Sequence, residues 1–406
     1  MHAQGAATAC FGVSRKKISD TIDEVVTYFD QLQYTPYSAH NFFEYWDLLD
    51  QIPVGQLSTV QCDIILKNTA YAYDAEDSAL KGSDFRLRLR REIDKWTKHA
   101  VHLMPIMDAR HAATYSSYFA KLGIDADQRY NNFWHAKTFS LLDHASPQYL
   151  TMIGMATAGL GERPETKFLK KWARNVILNK SKFSMRDCIN VVWTLAVWDS
   201  LCDQPTPFFR DMAAAFTAQI NDISIKQPPV VWEEQNLYQI RDACLWFGLP
   251  NPCPQPLGRN NTSSSLEKTA LNEFAEAHMP VLGTNANRIA KLNKLTDIAV
   301  STGHGQVNIE MDGHRHFVFD GGERSTRLNG RTEFQTGLMC KVEPHLVLVR
   351  VPDRTLKEAQ SLFNGHCGER MFSVFDQAAQ YARDNAGHAF MLQVKGNSLH
   401  LKGLHA

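Results

Sequence analysis

The sequence predicts a chain of two structural classes, an all-α array of paired helices followed by a small mixed α/β domain. Three observations predict it. Helix signals recur every 38 residues up to about residue 250, a stretch rich in proline, serine and asparagine interrupts them at residues 251–265, and beyond it strand-like apolar runs alternate with helical ones.

The repeat is read from its caps. Ser184, Met185 and Ala196 stand 38 residues after Ser146, Pro147 and Ala158, and Asp108 with Ala120 stands 38 residues before that set. Each unit sets a Ser or Asp 12 residues ahead of an alanine, as an N-cap stands ahead of a helix of about three turns. Ser58 to Ala70 and Glu233 to Leu245 extend the series, and second helices follow, as in Thr166 to Asn179 and Pro207 to Ile220. Two-helix units of about 38 residues have the period of an α-solenoid, in which a unit buries its apolar face only against a neighbour. The recurring alanine permits close helix approach, while Trp193 and Leu195 fill the layer between helices. The helical domain is assigned to residues 20–250.

Composition bounds the remaining choices. At 406 residues, with 44% hydrophobic and 21% charged residues, the chain is long enough for two or three cores. No apolar run approaches the ~18 residues of a transmembrane helix. Eight cysteines without a CxxC pair point to reduced thiols and away from a zinc module. Met1 to Ser14 lacks the apolar segment of a secretory signal, so residues 1–19 are read as disordered and the protein as bacterial cytoplasmic or organellar. The 43 basic and 43 acidic residues cancel, so any basic surface has to be local. Two candidates stand out: Arg86, Arg88, Arg90, Arg91, Lys95 and Lys98, and the helical stripe Lys167, Lys170, Lys171 and Arg174. Either serves RNA phosphates or is a solvated helix face.

After the linker, Ser265 is placed to cap a helix that contains Glu267, Glu273 and Glu276, and a strand from Leu295 to Thr302 brings in Asp297. The next strand, Val307 to Phe317, puts Val307, Ile309 and Met311 on one face and Asn308, Glu310 and Asp312 on the other. It ends at Gly313 with His314 and His316 close by, a grouping of acids and imidazoles suited to a divalent cation or to phosphate chemistry. Then come Arg327 to Thr332 (RLNGRT), a helix from Thr332 to Cys340, a strand from Leu346 closed by Pro352, and a helix from Leu356 to Phe363. A helix from Val374 to Asn385 and a strand from Ala389 to Val394 end the domain.

The succession IExDGxxHF, LNGxT, helix and VLVRVP resembles the RAP domain of RNA-binding proteins over roughly residues 265–365. The repeat, clearest in Phe183, Ser184, Asn190, Trp193, Leu195 and Ala196, is similar to those of octotricopeptide and heptatricopeptide proteins and of the FAST-kinase-domain proteins. The resemblance implies that the repeats recognise single-stranded RNA. It also implies that residues 266–406 form a RAP domain of the PD-(D/E)XK nuclease fold in its Vsr-like branch, a mixed sheet flanked by helices. In such nucleases a helix carboxylate, a strand aspartate and an acid on the next strand hold the metal, Mg2+ or Mn2+. Carried over by motif, these are Glu273 or Glu276, Asp297 and Glu310, with Asp297 and Glu310 as metal ligands, Asp312 beside them and His316 as acid or base. Arg315 and Arg331 join the lysine stripe as candidate RNA contacts. The lysine that the pattern sets two residues after the strand acid is Asp312 here. An RNA-binding factor without catalysis therefore stands beside a metal-dependent endoribonuclease, and a protein-interaction solenoid is the reading from another class.

Overall fold

The computed structural model describes residues 39–52, 57–75, 83–125, 128–202, 204, 206–226, 233–254, 264–284, 288–289, 292, 294–313, 316–320, 323–385 and 388–404. The expected disordered N-terminus, the centre of the expected linker, His314 and Arg315 lie outside them.

Helices fill the first part in the expected rhythm: α1 (Ala39–Leu49), α2 (Thr59–Ala75), α3 (Ser83–Leu103), α4 (Ala109–Leu122), α5 (Gln128–Leu141), α6 (Pro147–Gly159), α7 (Thr166–Leu178), α8 (Met185–Ser200), α9 (Pro207–Lys226) and α10 (Glu234–Phe247). The starts of α4, α6 and α8 are 38 residues apart. Their caps are the predicted ones. Asp108 accepts the His111 N–H at 2.9 Å, Ser146 Oγ that of Tyr149 at 3.3 Å and Ser184 Oγ that of Asp187 at 3.2 Å, each satisfying an amide that the helix itself leaves unpaired. Ser58 does the same for Gln61, whose side chain returns the bond to the Ser58 amide.

The chain divides into two compact units. One comprises Met1–Thr157, Pro164–Lys182 and Phe319–Glu323. In it α2 packs against both α3 and α4, around Trp46, Trp96, Phe42, Phe85 and Tyr115. It also holds β1 (Ile124–Asp125), which pairs in parallel with Phe319 and Asp320.

The other unit comprises Ala158–Arg163, Phe183–Val318 and Arg324–Ala406. It adds α11 (Ser265–Glu276), α12 (Gly330–Val342), α13 (Asp353–Phe363) and α14 (Cys367–Asp384) to α8, α9 and α10. Its strands are β2 (Val281–Thr284), β3 (Arg288–Ile289), β4 (Lys294–Leu295), β5 (Ile298–Thr302), β6 (Gly305–Asp312), β7 (Phe317–Asp320, shared with the first unit), β8 (Glu323–Leu328), β9 (Val347–Pro352), β10 (His388–Lys395) and β11 (Ser398–Leu404). A six-stranded mixed sheet runs β11-β10-β9-β6-β5-β2. β6 pairs antiparallel with β5 and parallel with β9, so it is internal. Val307, Ile309 and Met311 enter a core with Phe274, Met371 and Phe375, as the alternation predicts. Asn308, Glu310 and Asp312 take the other face and are buried too. The acids are not solvated, because helices cover both sides of the sheet's centre.

Several boundaries differ from expectation. Ser264, not Ser265, caps α11, because Glu267 three residues on completes a reciprocal capping box only with Ser264. The strand expected from Leu295 to Thr302 breaks at Thr296 and Asp297. The last helix begins seven residues early, at Cys367, where Cys367 and Met371 are buried in line with Phe375. Among the described residues no helix is long and apolar enough to cross a membrane.

The glycine of the LNG turn has a packing reason. A Cβ at Gly330 would fall 1.8 Å from the Ala158 carbonyl oxygen and 2.8 Å from the Gly161 amide nitrogen, backbone atoms that cannot yield. Gly337, about two turns further along α12, would meet only the Trp246 ring edge at 3.5 Å. Gly330→Ala should therefore cost about 3 kcal/mol or more and lower Tm by at least roughly 6 °C, while Gly337→Ala stays within about 1 kcal/mol, both read by thermal denaturation. Equal effects at the two positions would contradict this packing.

Candidate functional site

The polar face of β6 meets the break before β5, the neighbouring strand β9 and one face of α12. Glu310, 6% exposed, receives the Lys294 ammonium on Oε2 at 3.2 Å, while its buried Oε1 has no hydrogen-bond partner among the described residues. Asp297 reaches across from the break, where Oδ2 accepts the Met311 N–H at 2.8 Å. Burial first, and then the Glu310 charge, push the Asp297 carboxyl up to about 8, with Glu267 adding to the rise and Lys294 opposing it. Asp297 is thus biased toward its protonated form.

Asp312 is handled differently. Arg350 of β9 grips it with two bonds, Nε to Oδ2 at 2.7 Å and Nη2 to Oδ1 at 2.5 Å, and spends Nη1 on Thr336 Oγ1 at 2.9 Å. Burial works against the Arg350 charge, but Asp312 outweighs it and holds the guanidinium protonated. Asp312 is therefore a saturated structural anion, which corrects its expected place in the catalytic set.

The LNGxT turn sets the imidazole. Asn329 caps α12 by accepting the Thr332 N–H at 2.9 Å, and its own amide bonds to the His316 carbonyl. This brings Thr332 Oγ1 to 3.1 Å from His316 Nδ1, with Asp312 Oδ1 at 3.5 Å. Packing around the half-exposed ring lowers its pKa, against the opposing pull of Asp312, so the imidazole is neutral at physiological pH. With Nδ1 engaged, Nε2 is the atom left for proton transfer.

Glu273 does not join the group. Its carboxylate accepts from Gln360 of α13 at 2.7 Å, and its backbone lies against Gly368 at the start of α14. Glu276 is exposed. The helix carboxylate that acts on Asp297 is Glu267, held in the first turn of α11 by the capping box. Among the described residues no set of three or more His, Cys, Asp or Glu is arranged as a metal cage. Two carboxylates, one with a buried oxygen that has no partner among the described residues and the other pushed toward its protonated form chiefly by burial, nevertheless fit Mg2+, which keeps several waters and takes only one or two protein carboxylates.

The basic candidates divide. Lys167, Lys170 and Arg174 are exposed on one face of α7 and make no ion pair among the described residues. Lys171 is spent on Asp143 at 2.9 Å, on the Phe139 carbonyl at 2.8 Å and on the Phe139 ring, which removes it from the stripe. In the other cluster Arg88, Arg91 and Lys95 converge on Asp50 at 2.6, 3.5 and 2.6 Å, and Lys98 pairs with Asp94 at 2.8 Å. Arg88, Arg91, Lys95 and Lys98 are thus engaged in ion pairs within the helical unit, while Arg90 is exposed. Arg331 is exposed at the start of α12.

Glu267, Lys294 and Thr336 lie outside the motifs, and Thr332 and Arg350 lie within LNGxT and VLVRVP without a site role that the motifs announce. Arg350 had a readable signal, a lone charge inside the apolar run Val347 to Val351, which demands a buried partner. No family model matches the chain, and no curated protein is similar to it at a significant level.

The raised Asp297 pKa carries a stability sign. Between its unfolded value near 4 and about 8 the folded chain binds more protons than the unfolded one, so this group's contribution falls as pH rises. Asp297→Asn, which keeps an acceptor for the Met311 amide, should raise Tm by roughly 2–6 °C at pH 8 in EDTA and by less at pH 5. A variant less stable than wild type at pH 8 would contradict the raised Asp297 pKa that burial and the Glu310 charge produce.

Proposed function

We propose that this protein binds single-stranded RNA and hydrolyses its backbone at the polar face of β6, with Mg2+ or Mn2+ held by Asp297 and Glu310. The observation that carries the reading is the buried Glu310 Oε1, without a hydrogen-bond partner among the described residues, beside a carboxyl that burial and then the Glu310 charge push toward its protonated form. Uncompensated acids inside a sheet are costly, and a bound cation removes the cost. Support comes also from the order of elements. A helix (α11), antiparallel strands (β2, β5, β6), a helix (α12) and a strand parallel to β6 (β9) suit the mixed sheet of a PD-(D/E)XK nuclease, here as the RAP domain that the motifs resemble. The 38-residue helix pairs suit an α-solenoid ahead of it.

When bound, the cation polarises the scissile phosphate and acidifies the attacking water. The chain's own residues do the rest. Asp297, as its carboxylate, and Glu310 through Oε1 would hold the cation; in the structure as it stands Glu310 Oε2 faces Lys294. His316, fixed through Nδ1 by Thr332 and Asp312, presents a neutral Nε2 that accepts the water's proton. The Arg350–Asp312 pair keeps that ring in place. Lys167, Lys170 and Arg174 hold RNA phosphates along α7.

With labelled single-stranded RNA and Mn2+, wild type should cleave, and Asp297→Asn or Glu310→Gln should lower the rate by at least about 100-fold with RNA affinity in Ca2+ nearly unchanged. RNA that binds but is not cut with any divalent ion would replace hydrolysis by a holding role. The triple change of Lys167, Lys170 and Arg174 to Glu should weaken RNA affinity and flatten its salt dependence; an unchanged slope would reduce the stripe to a solvated face.

A further inference from the structure

Among the described residues two cations stand at the polar face of β6, Arg350 and Lys294, and they differ in what they leave for a ligand. Arg350 is 2% exposed and commits all three guanidinium nitrogens to Asp312 and Thr336. Lys294 is 31% exposed, and its ammonium meets Glu310 Oε2 at 3.2 Å and the Met339 thioether at 3.6 Å. The carboxylate contact is longer than the 2.7–2.9 Å usual for an ammonium on a carboxylate, and a thioether is a weak acceptor. Donor capacity is therefore left over.

Its place in the fold is equally specific. The short antiparallel pair of β3 and β4 positions Lys294 three residues before Asp297, so one turn of chain delivers an ammonium and a carboxylate to the same face. Its charge acts on Asp297 and on His316, the two groups proposed to bind the cation and to take the proton.

On the reading of this cleft as a phosphodiester site, we infer that Lys294 holds a non-bridging oxygen of the RNA phosphate and that its ion pair with Glu310 is a resting contact, exchanged when cation and phosphate enter together. The exchange conserves charge. A divalent cation takes over the Glu310 carboxylate, which frees the ammonium, and the phosphodiester anion takes over the ammonium. A lysine that only neutralised Glu310 would have no reason to remain part-exposed and loosely bonded.

The test uses the full chain with Lys294→Gln and Lys294→Arg, a short single-stranded oligoribonucleotide, Ca2+ for binding and Mn2+ for cleavage. Lys294→Gln should weaken oligoribonucleotide affinity in Ca2+ by about 5- to 20-fold and lower the salt slope by about one. It should leave Mn2+ affinity, followed by electron paramagnetic resonance, unchanged or tighter, and Lys294→Arg should restore most of the RNA affinity. RNA affinity and salt slope unchanged in the Gln variant overturn the inference, as does a loss of RNA affinity matched by an equal loss of Mn2+ affinity, the mark of a residue that only shapes Glu310. Circular dichroism reports folding, and if the Gln variant unfolds, Lys294→Met combined with Glu310→Gln removes the pair without leaving a buried charge and is compared with Glu310→Gln alone. A wild type that never cleaves removes the hydrolysis reading, while the affinity comparison still decides what Lys294 holds.

Discussion

The ion pair of Arg350 with Asp312 is what allows β6 to carry an acidic face inside a sheet. The two residues lie on adjacent parallel strands, where Glu310 pairs in register with Arg350 and Asp312 follows two places on. Charges buried this deeply are tolerated only when paired and fully hydrogen-bonded, and removing one partner of such a pair typically costs about 3–5 kcal/mol. Arg350 meets the condition with three bonds, two to Asp312 and one to Thr336, and so ties β6, β9 and α12 together. His316 is oriented against the same carboxylate.

The contrast with the other acids gives the site its meaning. Asp312 is compensated in full; Glu310 is compensated on one oxygen only, and Asp297 is pushed toward its neutral form by its surroundings. A chain selected for stability alone would have filled these positions with apolar residues of similar volume. The strain concentrates where two carboxylates converge beside a part-exposed lysine and a neutral histidine, which is where a cation and a phosphate would remove it.

Features set by local rules were legible in the sequence. The caps Asp108, Ser146 and Ser184 were readable because an N-cap bonds within three residues of itself, and the two faces of β6 because side chains alternate along any strand. Features set by tertiary neighbours were not. Whether Glu267 or Glu273 approaches Asp297 depends on which side of α11 faces the strands and which faces α13 and α14. Lys294 sits in a two-residue strand that no periodicity announces. The basic run of α3 looked like a nucleic-acid surface because Asp50, its partner, lies some forty residues away in sequence. Lys171 likewise belonged to the stripe by spacing and to Asp143 by packing.

The central claim is that the incompletely compensated pair, Asp297 and Glu310, is a cation site, and counting bound Mn2+ by electron paramagnetic resonance tests it most directly. The account predicts one ion per chain, lost in Glu310→Gln and retained when Glu273, which faces α13, is changed to Gln. An ion that persists in Glu310→Gln, or one that depends on Glu273, would contradict it.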